Sequence, residues 1–263
     1  DRADEAERYY LALAGKPHSP AAIEAKYRLA SLRYAQQQYA SALKTFAELD
    51  SIPESNPWVA NAGLGKGWSL MKLDRHADAA NVFARLTDHP AVAVQARYWL
   101  GLCRKSLKDW PGATESFLAA AEKLAAERTA MPNRSSAADV TETVILFHSG
   151  DSQLADGNLV EARDCFDQAI ASGEANESWF DDALRASVQT SLRLKDYDRA
   201  RSDAERFLRE SPDSRVAPDL LRLLARIQLE QDDYQAAERT LGRLGEANAD
   251  TNDAVEDAYL LAL

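Results

Sequence analysis

The sequence predicts an all-α chain, a solenoid of antiparallel helix pairs with about six full repeats and partial repeats at both ends. Three observations carry that expectation. Alanine and leucine abound, glycine (11) and proline (9) are sparse, and β-branched runs of strand length are hard to find. A small alanine recurs between two large residues, three after the first and four before the second. Short polar turns such as "LKD", "ADGN" and "EQDD" separate the apolar segments.

The copies of that motif run in order along the chain. They are "YASALKTF" (Tyr39, Ala42, Phe46), "HADAANVF" (His76, Ala79, Phe83), "WPGATESF" (Trp110, Ala113, Phe117), "LVEARDCF" (Leu159, Ala162, Phe166), "YDRARSDA" (Tyr197, Ala200, Ala204) and "YQAAERTL" (Tyr234, Ala237, Leu241). An earlier copy survives in part as Ala6 and Tyr10. Successive alanines, Ala6, Ala42, Ala79, Ala113, Ala162, Ala200 and Ala237, lie 36, 37, 34, 49, 38 and 37 residues apart. Periods of this size mark a repeat array. Each alanine heads a second helix, and a first helix precedes it: "AKYRLASLRY", "ARYWLGLCRK", "TVILFHSGDSQL", "DALRASVQTSL" and "DLLRLLARIQL" are examples.

The alanine has a mechanical purpose. Where two helices cross closely, a small residue lets the backbones approach while Phe or Leu fills the flank. No single pair can bury its apolar face, so stability comes from neighbouring pairs.

The interval of 49 implies a longer connection between Ala113 and Ala162. "ATESFLAAAEKLAAERTA" reads as an extended second helix, broken by "MPNRSSAAD" before a new N-cap at Ser136 or Asp139. That divides the chain into an N-terminal array over 1–131 and a C-terminal array over 132–263, continuous except for this connection near 128–139. The connection reads either as a hinge or as a solvated loop. At the ends, residues 6–14 read as a second helix without its first, and "DAYLLAL" as a first helix without its second. Either the chain is a segment of a larger protein, or lone terminal helices cap it.

This pattern resembles the tetratricopeptide repeat family over essentially the whole chain. Leu29-Ala30, Leu100-Gly101 and Leu224-Ala225 match that family's first-helix signature, and Pro212 closes the fifth unit. Lys66, Ser149 and Ser187 at the leucine position, and Ala204 at the aromatic one, depart from it. The resemblance implies a right-handed superhelix whose concave face, lined by the second, fifth, ninth and twelfth positions of each first helix, binds a peptide or partner protein. Those positions place Tyr27, Tyr34, Trp68, Met71 and Tyr98 on an aromatic and apolar N-terminal half of the face, with Lys105 and Phe147 also on it and Arg185, Arg222 and Arg226 toward the C-terminus as donors to carboxylates. The competing reading makes the aromatics core residues and pairs the arginines with Asp182 and Asp219. The linkers "KPHSPAAIEAKYRLA" and "ESPDSRVAPDLLRLLA" are similar to those of bacterial cell-envelope members of the family, such as the outer-membrane β-barrel assembly lipoprotein and the Tol-Pal coordinator. They imply a periplasmic or envelope setting, with a cytoplasmic one as the alternative.

Other function classes find little support. With 42 acidic against 31 basic residues the net charge is -11, and no block of Lys/Arg offers a nucleic-acid footprint. No apolar run reaches the roughly 18 residues that span a bilayer. The four histidines lack metal-ligand spacing, and Cys103 and Cys165 sit in apolar helical patterns as small hydrophobes. No nucleophile has a neighbouring base, so neither an enzyme nor a cofactor site is expected. The functional alternatives to peptide capture are a structural spacer or oligomerisation segment, and an accessory domain of an enzyme outside this sequence.

One stretch imitates a phosphate loop. "GLGKG" (63–67) lacks the glycine five residues before Gly65 and the Ser/Thr after Lys66 that such a loop needs. In register with the repeat it falls inside a first helix, where Gly67 takes the small-residue position of Ala30, Gly101 and Gly150. Gly63 and Gly65 find no packing role in the repeat, and each costs roughly 1 kcal/mol of helix propensity. Gly63 is expected to give room to a ligand or to the preceding unit, and Lys66 to lay its stem along the apolar seam.

Overall fold

The computed structural model describes residues 2–15, 19–53, 56–130, 140–173 and 178–247. Among these, thirteen helices and no strand form. They belong to two compact units, Asp1–Val140 and Thr141–Leu263. The boundary expected at 131/132, Ser136, Asp139 and the C-terminal "DAYLLAL" all lie outside the described residues.

The first unit opens on α1 (Arg2–Ala14), which packs on α2 (Pro20–Ala35). Three pairs follow: α2 with α3 (Tyr39–Ala47), α4 (Pro57–Lys72) with α5 (His76–Ala84), and α6 (Ala93–Ser106) with α7 (Trp110–Ala130). The second unit holds α8 (Glu142–Asp156) with α9 (Leu159–Ser172), α10 (Ser178–Arg193) with α11 (Tyr197–Glu210), and α12 (Ala217–Glu230) with α13 (Tyr234–Ala247). Within each unit every first helix also adjoins the next first helix, α2 on α4 and α4 on α6, then α8 on α10 and α10 on α12. The second helices stand farther apart among the described residues. Each unit therefore has its first helices in contact along one side and its second helices spaced apart on the other.

Helix starts follow the sequence chemistry. Ser19 accepts the Ala22 amide at 3.1 Å and Asn56 accepts the Trp58 amide at 3.0 Å. The cap of α8 is Thr141, whose hydroxyl accepts the Val144 amide at 3.4 Å, and not the residues anticipated at 136 or 139. The turns inside the pairs share one geometry. Gln37, Asp74, Lys108, Gly157, Lys195 and Asp232 all have positive φ, and each stands five residues before its unit's alanine. At Gln37 the backbone bonds run from Gln37 to Tyr34 and from Gln38 to Arg33, both at 2.9 Å, the closure of a Schellman turn. The same two bonds recur at the other five turns. Only Gly157 enters the left-handed region without a β-carbon to hinder it.

Packing explains the glycines, and here the sequence expectation is corrected. A β-carbon on Gly67 would collide with the Phe83 ring of its own pair, while one on Gly65 would collide with the Phe46 ring of the preceding pair. On Gly63 it would come within 2.9 Å of Leu86. Each of the three glycines thus receives a different neighbour. Gly101 and Gly150 repeat the Gly67 arrangement, with Phe117 and Phe166 at 2.6 and 2.7 Å from the position of a β-carbon. Phe83, Phe117 and Phe166 are completely buried, each contributing about 1.5–3 kcal/mol by burial.

The polar residues at the leucine position also find partners on second helices or just after them. Lys66 is ion-paired with Asp50, Ser149 accepts a 3.6 Å hydrogen bond from the Cys165 thiol, and Ser187 donates to Asp167 at 2.9 Å. At the fifth pair the sizes are reversed: Val188 occupies the small-residue position and Ala204 the aromatic one, both buried in one cluster.

Candidate functional site

The residues that the sequence singled out all lie on first helices. In the first unit Tyr27 is half-buried, its ring 5.0 Å from Trp58 and 6.1 Å from Phe46. The Arg28 guanidinium lies 5.1 Å over the Trp58 ring, a cation–π contact. Tyr34 meets Tyr39 edge-on at 5.3 Å. Burial, and then the neighbouring Tyr39, raise the Tyr34 phenol above its ordinary value.

Trp68 and Met71 are half-buried against the cluster built around Leu70, Phe83 and Leu100. Trp68 meets Trp99 edge-on at 5.8 Å, and its indole nitrogen is buried with no hydrogen-bond partner among the described residues. Tyr98 differs from the others. It is only 7% exposed, packs on Phe117 at 5.9 Å and Trp99 at 5.3 Å, and burial pushes its phenol up to about 12. It is a core residue with little ring surface to offer. Lys105 is half-buried near the end of α6.

In the second unit Phe147 lies 5.8 Å from Phe166, 5.1 Å from Trp179 and 5.4 Å from His148. Arg185 and Arg222 converge on one carboxylate, that of Asp219, at 3.9 and 2.9 Å. Asp182 instead takes Arg215 at 2.5 Å. Arg226 is exposed. Among the described residues no group of three or more His, Cys, Asp or Glu could hold a metal ion, and no helix is long and apolar enough to cross a membrane.

Two tryptophans escaped the sequence reading because they lie outside the four face positions. Trp58 and Trp179 each stand nine residues before the small-residue position of their unit, Gly67 and Val188, and each packs at a tilt against the fifth-position aromatic of the preceding pair, Tyr27 or Phe147. Aligning the units on their small residues would have exposed this equivalence.

Family models described as tetratricopeptide repeat match residues 24–55, 64–128 and 191–260. No curated protein matches the chain. Among solved structures, the C-terminal part of a TPR repeat-containing protein from Cytophaga hutchinsonii superposes with a TM-score of 0.73 at 15% identity, covering 97% of this chain and 94% of that one. PilF of Pseudomonas aeruginosa gives 0.57 at 14% identity, with 97% and 98% covered. YrrB, described as a TPR protein with an unusual peptide-binding site, gives 0.58 at 12% identity, with 81% and 97% covered. At these identities the likeness concerns the fold. With repeat models matched in both units and this fold shared along its length, the chain belongs to the tetratricopeptide repeat family, a scaffold for protein–protein interaction.

Proposed function

We propose that the chain captures a peptide or partner segment along its first-helix face, the side that is concave in this family. The supporting observation is a run of half-exposed rings on successive first helices of the first unit, Tyr27, Tyr34 and Trp68, extended by Trp58 and Met71. Aromatic side chains of this kind give large contact area at small conformational cost. In the second unit Phe147 and Arg226 lie on that unit's own first helices. Arg185 and Arg222 contribute less, since Asp219 already holds both. A peptide-binding TPR neighbour and the type IV pilus biogenesis factor PilW, similar in fold over 88% of this chain, support the reading by analogy of fold.

Selection from a displayed peptide library, with the chain as bait, yields peptide probes whether or not they resemble the natural partner. The double variant Tyr34→Ala/Met71→Ala is then expected to bind the selected peptides roughly tenfold or more weakly, the loss of one or two anchor contacts. Unchanged binding by a folded variant removes the groove assignment. The envelope-type linkers and the pilus-related neighbours support a bacterial envelope setting. Fractionation of cells expressing the native gene with cytosolic markers would count against it.

A further inference from the structure

The repeat supplies its own control for a feature on the other side of the second unit. Two equivalent grooves lie between successive second helices, one between α9 and α11 and one between α11 and α13, of about 430 and 350 Å³. In the first, every lining cation is answered: Arg199 pairs with Asp167 and Asp203, and Arg206 with Asp203 at 3.7 Å. In the second, the register puts Thr240 where Asp203 stood, Ala236 in place of Arg199, and Arg209 in place of Ala171. Arg243 keeps the place of Arg206 but has lost its acid. Arg201 is occupied by Glu205 and Asp233, each at 3.0 Å. Arg209, Arg239 and Arg243 are exposed and have no ion pair among the described residues.

Arg209 and Arg243 have no acid set against them in this groove, and Arg239, whose charge also acts on Asp233, makes no ion pair among the described residues; such a cluster is unexpected on a chain of net charge -11. We propose that this groove binds an acidic peptide segment of a partner protein, a site separate from the first-helix face. The spacing favours peptide carboxylates over one compact dianion. Arg239 and Arg243 are one turn apart on α13, roughly 5–6 Å along the helix, and Arg209 approaches from α11. Charges distributed in this way match single carboxylates on successive turns or alternate residues of an extended segment. Leu208 and Leu224 give the groove an apolar floor for the intervening side chains. The polar groups at its base are already satisfied, with the Thr240 hydroxyl donating to Gln228 at 2.8 Å, so the free donors are those of the arginines.

The test is fluorescence anisotropy of a labelled hexapeptide alternating glutamate and leucine, at low ionic strength, with the matching lysine peptide as control. The wild-type chain is expected to bind the glutamate peptide, with affinity falling as salt rises. Arg239→Ala/Arg243→Ala, both exposed and checked for helicity by circular dichroism, is expected to weaken binding roughly tenfold or more. Arg206→Ala, at the equivalent place in the balanced groove, is expected to leave it unchanged. No binding by the wild type, or equal binding by the double variant, overturns the site. Displacement by inorganic phosphate beyond that by chloride at equal ionic strength, or tighter binding of a single-stranded oligonucleotide, overturns the assignment to an acidic peptide.

Discussion

The ring of Phe83 occupies the space that a β-carbon on Gly67 would need. Phe83 is fully buried and flanked by Trp99, whose ring stacks 6.5 Å away, so it has little freedom to withdraw. Gly67→Ala is therefore expected to destabilise by about 1–3 kcal/mol through overpacking, although alanine is the better helix former by about 1 kcal/mol. Urea unfolding of the variant decides the sign. A stabilised Gly67→Ala would mean that the helices separate easily at this crossing.

The fifth pair gives the complementary prediction. Ala204→Phe introduces a ring opposite Val188 and is expected to cost about 1–3 kcal/mol. Adding Val188→Ala recreates the Ala30/Phe46 combination of the first full pair and should recover part of that loss, with a coupling of about 0.5–3 kcal/mol. Strict additivity of the two substitutions would show that these positions do not share one packing space.

Lys195 holds φ at +60° at the end of α10, and its side chain is exposed. Lys195→Gly removes a left-handed penalty of about 1–2 kcal/mol, partly offset by the freer unfolded chain, for a net gain of about 1 kcal/mol. Thermal unfolding should show a raised midpoint. The same substitution at a helix-interior site, such as the half-buried Lys123, should lower it.

Alkaline pH is expected to weaken the fold through groups buried in their neutral form. Burial pushes the Cys103 thiol from 9.0 to about 12, and the Tyr98 phenol from 10.0 to about 12. Both folded values lie above the unfolded ones, so the unfolded chain releases these protons first. Their contribution is fully present below pH 9 and is lost as pH rises toward about 12. Cys103→Ala should give a shallower decline of stability across that window. The native Cys103 thiol should also resist alkylating reagents at neutral pH until the chain unfolds.

Much of this molecule could be read from spacing. The alanine period located every helix pair, because close crossing demands a small residue wherever it occurs. The same period locates the left-handed residue of each turn, five places earlier. The roles of Gly63 and Gly65 were illegible, since the residues they accommodate come from different pairs, Leu86 in their own and Phe46 in the one before. Trp58 and Trp179 were missed for the same reason: their partners, Tyr27 and Phe147, lie about one repeat away.

By itself the sequence determined the helix pairs and their order, because periodic small and large residues mark where each pair crosses. Tertiary structure decided which charges are already taken. Arg185 could pair with Asp182 on its own helix or with Asp219, and packing brought it to Asp219, which Arg222 already holds from three residues along the same helix, while Asp182 went to Arg215. Arg209, Arg239 and Arg243 were unremarkable until α11 and α13 came to flank one groove. Charge pairing depends on distances between helices about one repeat apart, and a linear sequence does not contain those distances.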